Sequence, residues 1–331
     1  IIMHADVKKS AVQQGGFDPM WRELDPLFRS ADLVFGNLET PVAPTSGQPG
    51  EPFVFNAPED LPEALARGGF TVLSTANNHA YDQGPQGVEE TCARLEAAGL
   101  VAVGSGRGRA QALAPRVLER HGFRIAFLAW TDLFNRGFNQ ARGPWVARLD
   151  ADQACEAVRQ ARSLADVVVV SVHWGQEDEH EPTPRQRDVA RRLQEAGADL
   201  ILGHHPHVLQ PLEVSGTAGH RTAVAYSLGN FLSNQDRFYD ADRMPTPQGD
   251  ARDGAAVMAT FTRTDAGHAG LETLRYTPLW TENNWREVNG DDAAPREIRV
   301  VRLDDPGRQV QPWLRRRERI REVLGRGFER P

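Results

Sequence analysis

The sequence predicts a layered α/β sandwich. Short β-rich runs alternate with amphipathic helical segments along a chain of 331 residues. Three of the middle runs are almost wholly apolar, as strands covered on both faces should be. Glycine stands where three of the helices should stop, in the position where a left-handed cap is tolerated without a Cβ clash.

Taken in order, the strand candidates are ADLVFG (31–36), FTVLSTA (70–76), FRIAFLAW (123–130), DVVVVSVHW (166–174), DLILG (199–203) and TAVAYSL (222–228). Between them PEDLPEALARGG (58–69) lines up Leu61, Ala64 and Leu65, and QGVEETCARLEAAGL (86–100) lines up Val88, Cys92, Leu95 and Ala98. Segments 150–165 and 184–198 follow the same helical rule, and Gly69, Gly99 and Gly197 mark three of the helix ends. Residues 44–52 and 240–255, rich in Pro, Gly and Asp, read as loops. The stretch RQVQPWLRRRERIREVLGRG (308–327) reads as a solvated, arginine-rich terminal helix. This gives a domain over 1–285 and an extension over 286–331. The opening Ile1 resembles the end of a strand, so an upstream piece is expected. A signal peptide or lipid anchor of an exported, envelope-associated protein would sit there.

The chain is 40% hydrophobic and 25% charged, with a formal net charge of −7. That balance lacks the basic footprint of a nucleic-acid binder, and polyanion binding would need a local patch. No run is long and apolar enough to span a membrane. Cys92 and Cys155, each within a helical segment, read as buried free thiols.

Four clusters follow strand candidates, where open α/β sheets place their sites. GNLETP (36–41) carries Glu39 in a tight loop. ANNHAYDQG (76–84) crowds Asn77, Asn78, His79 and Asp82 into one strand-to-helix turn. Asp82, three residues after His79, is placed to fix the imidazole tautomer and raise its basicity, which suits a general acid or base or a metal ligand. SVHWGQEDEHE (171–181) places His173 at the end of an apolar strand. LGHHPHV (202–208) holds three histidines in four positions. Pro206 is expected to keep His205 extended, so that His205 and His207 point to one side. The candidate ligands are therefore Glu39, Asn78, His173, His205 and His207. Mixed oxygen and nitrogen donors suit one or two divalent ions (Mn, Zn, Fe or Ca) rather than a structural, cysteine-bound zinc.

Lesser motifs carry less. GSGRGRA (104–110) lacks phosphate-loop spacing and reads as a loop, from which Arg107 or Arg109 would reach an anionic substrate. Ser171 and Ser227 lie near histidines, but no nucleophile elbow surrounds either. Trp130, Trp145, Trp174 and Trp280 read as core.

NLETP, FNAP, ANNHAYDQG with GVEET, VHWGQE, GADLILGHHPHVLQ and YSLGNF come one after another in the order found in CapA-type proteins. The chain resembles that family, related to the poly-γ-glutamate synthesis proteins and similar in fold to the calcineurin-like metallophosphatases. The resemblance runs from Ile1 to about 235, and more weakly to about 285. It implies a metal-bridging role for Glu39, ligand roles for Asn78, His173, His205 and His207, and an acid or base role for His79 over the substrate. Gly229 and Asn230 would shape the pocket floor. In the family a Gly-Asp pair ends the first strand and its aspartate binds metal. IIMHADV resembles the segment directly after that pair, so that aspartate is expected just before Ile1. His4 is weighed as a neighbour of the same site.

The resemblance implies a metal-dependent enzyme, either a phosphoesterase-type hydrolase or a factor in capsule or poly-γ-glutamate synthesis. Metal-bound water would attack and His79 would serve as general acid/base. Its ligand would be an anionic or peptide-like small substrate or polymer. Two alternatives stand beside this reading: a metal-dependent peptide epimerase, in which His79 with Asp82 on one side and a ligand-loop histidine on the other exchange a Cα proton, and a non-catalytic accessory protein of a polymer synthesis or export complex.

Overall fold

A computed structural model describes residues 1–50, 52–136, 145–217, 220–263, 267–288, 291 and 293–329. Residue 51 of the 44–52 loop, and residues 289–290, 292 and 330–331 of the 286–331 extension, lie outside the described residues.

After helices α1 (Ala5–Gln13) and α2 (Asp25–Arg29), the chain lays down β1 (Phe35–Asn37), α3 (Leu61–Arg67), β2 (Val72–Ser74), α4 (Gly84–Ala97) and β3 (Val101–Val103). The three strands form a small parallel sheet in the order β1-β2-β3. A short pair, β4 (Ser105–Gly106) with a later partner, and helix α5 (Arg109–Leu113) lead to β5 (Arg116–Arg120) and β6 (Phe123–Thr131). Then come β7 (Trp145–Val146), which pairs with β4, α6 (Ala151–Leu164), β8 (Val167–His173), α7 (Pro184–Ala196), β9 (Leu200–His204), β10 (Leu209–Thr217) and β11 (His220–Leu228). These make a six-stranded sheet, β10-β11-β9-β8-β6-β5, parallel through its four central strands and antiparallel at both edges.

All six strand candidates contribute to these two sheets. The apolar runs are explained by burial on both faces. One face, including Phe127, Val169 and Leu202, packs toward the small sheet; the other, including Leu128, Val170 and Ile201, packs on α6 and α7. The far side of the small sheet is closed by α1 to α4 through Val7, Leu27, Leu65 and Leu95. The result is helix, sheet, sheet, helix. Helix boundaries follow local chemistry: Asp150 caps α6 by accepting from Gln153 N, and Thr183 and Gln186 form a capping box on α7. Gly69, Gly99 and Gly197 all take positive φ.

Two expectations change beyond Leu228. Residues 253–255 are not loop but the start of β12 (Asp253–Arg263), which pairs with β13 (Ala269–Asn283); β14 (Ile298–Arg302) completes an antiparallel sheet that joins the same cores. The arginine-rich segment is a helix, α8 (Trp313–Leu324), but it is not wholly solvated: one face is buried through Arg316, Ile320 and Leu324. Arg316 is buried, pairs with Asp250 at 2.6 Å and Asp253 at 3.0 Å, and lies over the rings of Trp280 and Tyr239. Partners distant in sequence turn a surface-looking residue into core.

Asp250 also accepts from His180 Nε2 at 2.8 Å and from Arg319 Nη2 at 2.9 Å. Asp250→Ala removes the shared anion and leaves buried Arg316 with Asp253 as its remaining carboxylate. We expect a loss of about 3 kcal/mol, the low end of the usual cost of breaking a buried pair, because Asp253 keeps part of the counter-charge. Urea unfolding reads this directly, and a midpoint equal to wild type would refute it.

Candidate metal centre

The carboxyl ends of the parallel strands β1, β2, β8 and β9 lie together where the two sheets face each other. The amide of Glu39 donates to Ile1 O at 3.0 Å, and Ile2 N donates to Leu232 O at 2.9 Å, so the opening residues run along this edge outside the assigned strands. Glu39, just past β1, is buried; its Oε2 accepts from Asn37 Nδ2 at 3.0 Å. Its Oε1 is buried without a hydrogen-bond partner and sits 3.7 Å from His173 Nε2 and 3.8 Å from His207 Nε2.

His173 ends β8 and is fully buried, in register with His204 on β9. The chain then coils through His205 and His207, with φ of +100° and +60°. Here the extended geometry expected from Pro206 is overturned. Both residues occupy the left-handed half of backbone space, which costs about 1–3 kcal/mol per residue and is found where function demands it. The coil still turns both imidazoles inward: atoms of Glu39, His205 and His207 lie within 4.8 Å of one another. His204 faces elsewhere, its ring stacked on Phe35. Gly203, one residue earlier, has no room for a side chain, since a Cβ would fall 1.9 Å from Tyr226 O.

Asn78 joins the group through Oδ1, which accepts from His173 Nε2 at 2.9 Å. His79 stands one residue on. Its Nδ1 donates to Asp82 Oδ2 at 2.8 Å, and the same carboxylate oxygen accepts from Phe55 N at 2.6 Å. Asn135 bridges the two neighbours: its Nδ2 donates to His79 Nε2 at 3.2 Å, and its Oδ1 accepts from Asn78 Nδ2 at 3.2 Å. This pattern puts the His79 proton on Nδ1 and leaves Nε2 as acceptor.

The donor set fits a divalent cation. Glu39 Oε1, His173 Nδ1 and His205 Nδ1 are buried polar atoms with no hydrogen-bond partner, an arrangement costly unless a further group satisfies them. Burial, reinforced by the surrounding histidines, pushes the His173 imidazole well below its usual pKa, and burial lowers that of His205. Both rings are therefore held neutral, the form that binds metal.

Residues 1–235 match the family described as bacterial capsule synthesis protein PGA_cap. The chain belongs to the PGA_cap family. It is 37% identical over 238 residues to "PGA biosynthesis protein CapA" of Bacillus subtilis (strain 168), covering 71% of this chain and 62% of that protein. It is 34% identical over 236 residues to "Capsule biosynthesis protein CapA" of Bacillus anthracis, covering 69% and 56%. The chain thus spans 62% and 56% of the lengths of these curated relatives. Among solved structures, the NAD nucleotidase NadN of Haemophilus influenzae aligns with a TM-score of 0.45 and 12% identity, covering 83% of this chain and 51% of that one. A likeness at that level says nothing about chemistry.

The PGA_cap match contains every candidate ligand. Sequence reasoning missed Asn135, which sits in a loop past β6 with no residue pattern to mark it; its position after a parallel strand was the available signal. His4 does face the site: its ring lies 5.2 Å from Phe55, whose ring is 4.4 Å from His79. Burial, then the proximity of His207, His79 and Arg237, brings the His4 imidazole down to about 4. Asn230 Oδ1 lies 3.2 Å from His207 Nδ1. Arg109 turns away to Gln153 and Trp145, and Arg107 is paired with Glu89.

Proposed function

We propose that this PGA_cap protein is a metal-dependent hydrolase of the phosphoesterase type, acting within capsule or poly-γ-glutamate synthesis. The observation that carries the reading is the convergence of Glu39, His205 and His207, with ligand atoms within 4.8 Å of one another. His173 and Asn78 abut this cluster and complete the proposed ligand set. We assign the chemistry to residues 1–285, with 286–331 as an extension that adds β14 and α8 to the same fold.

A bound divalent cation supplies Lewis acidity and lowers the pKa of water. The chain's own residues do the rest. Glu39 brings negative charge into a cluster of neutral imidazoles. Asp82 fixes the tautomer and plane of His79. His79 Nε2, an acceptor for Asn135 in the resting protein, would take up a proton from solvent as Asn135 gives way to the substrate, and would pass that proton to the leaving group, with the Asp82 carboxylate balancing the transient imidazolium.

The test is turnover. Protein reconstituted separately with Mn, Zn, Fe or Ca is offered a panel of phosphomonoesters and phosphodiesters. Hydrolysis with at least one metal is expected, and no turnover across the panel would remove the hydrolase reading. Deuterium uptake from heavy water into a peptide, without cleavage, would instead mark the site as an epimerase.

A further inference from the structure

We propose that Arg237 binds an oxyanion of the substrate, a carboxylate or a phosphate, beside the candidate metal centre. The inference rests on the hydrolase reading only for the position of the reacting centre.

Arg237 lies in the loop after β11, just beyond the PGA_cap match. Among the described residues no carboxylate pairs with it, and its Nε is buried without a hydrogen-bond partner. The arginines around it are committed. Arg243 and Arg286 pair with Asp240, Arg316 with Asp250 and Asp253, and Arg252 Nε donates to Thr281 O. Even the adjacent carboxylate is directed elsewhere: Asp236, at φ +50°, accepts from Ala251 N at 2.9 Å.

What holds Arg237 is a pair of rings. Its guanidinium carbon lies 4.9 Å from the Phe238 centroid and 5.6 Å from that of Trp285. Stacking fixes the plane of the guanidinium but satisfies none of its N–H groups, and so leaves a preformed fork for a planar or tetrahedral anion. The fork borders the site: the segment leading to it donates from Asn234 N to His4 Nδ1 at 3.2 Å and reaches His207 through Gln235 and Asn230, and Phe55 lies between His4 and His79. In a chain of net charge −7, an unpaired cation here counters the repulsion an anionic substrate would meet.

Calorimetric titration with inorganic phosphate and with glutarate, with and without added Mn²⁺, tests this. Wild type, Arg237→Gln and Arg237→Lys are compared, and metal content is measured separately by elemental analysis. Arg237→Gln is expected to weaken at least one probe about tenfold or more, with Arg237→Lys intermediate and metal content unchanged. Loss confined to one probe identifies phosphate or carboxylate as the group recognised. Equal binding by wild type and Arg237→Gln, or no binding of either probe to wild type, overturns the proposal. If metal fails to load but anion binding still depends on Arg237, the hydrolase reading fails and this one stands; metal loading with Arg237-independent binding is the converse.

Discussion

Glu39→Gln is expected to abolish metal binding at the candidate centre without unfolding the protein. The amide preserves size and can still accept from Asn37 Nδ2, now 3.0 Å from Oε2. What disappears is the negative charge at Oε1, which faces His173 and His207 Nε2 at 3.7 and 3.8 Å. Because burial keeps His173 and His205 neutral, those ligands cannot replace it. Changes to residues that only support a ligand typically cost 10- to 100-fold in metal affinity, so loss of this ligand should cost at least about 100-fold. By mass action, a metal at 100 times its Kd stabilises the fold by about 2.7 kcal/mol; after a 100-fold loss the same concentration gives about 0.4 kcal/mol. The metal-induced rise in Tm should nearly vanish, and dialysed protein should carry little metal. Unchanged metal content and an unchanged Tm rise would exclude Glu39 as a ligand.

His79→Gln should separate chemistry from metal binding. His79 is tied to Asp82 at 2.8 Å and to Asn135 at 3.2 Å, rather than to the Glu39, His205 and His207 group. Metal content should therefore stay at the wild-type level while kcat falls about 10²- to 10⁴-fold, the range for a lost general acid or base. The loss should depend on the leaving group. A nitrophenolate departs without a proton and should be affected least; an alkoxide needs one and should be affected most. The readout is kcat for an aryl and an alkyl phosphodiester. Equal losses for both esters would place His79 outside leaving-group protonation, and full activity would place it outside the chemistry.

Much of the frame was legible because its signals are local. The six strand candidates and the helices between them follow from apolar periodicity, and the helix-ending glycines from the αL conformation only glycine takes freely. Sequence order alone also placed Glu39, Asn78, His79, His173, His205 and His207 at or just after four strand candidates, which prove to be β1, β2, β8 and β9 of the two facing sheets. The β12–β14 sheet was less legible: its strands come after a segment rich in Pro, Gly and Asp, and their pairing depends on contacts far along the chain. The burial of α8 was hidden for the same reason, since Arg316 looks like a surface residue until Asp250, Asp253 and Trp280 surround it.

What only the tertiary structure decided concerns direction and partnership. Pro206 suggested an extended chain, yet His205 and His207 take positive φ, a conformation that costs about 1–3 kcal/mol per residue and that here goes with both imidazoles standing beside Glu39. That Asn135 spans Asn78 and His79, and that Arg237 meets no carboxylate among the described residues while the arginines near it are committed, are facts of spatial arrangement. Periodicity specifies which residues are buried or turned at a helix end; which charges meet, and which stay unmet, is set only when the layers close.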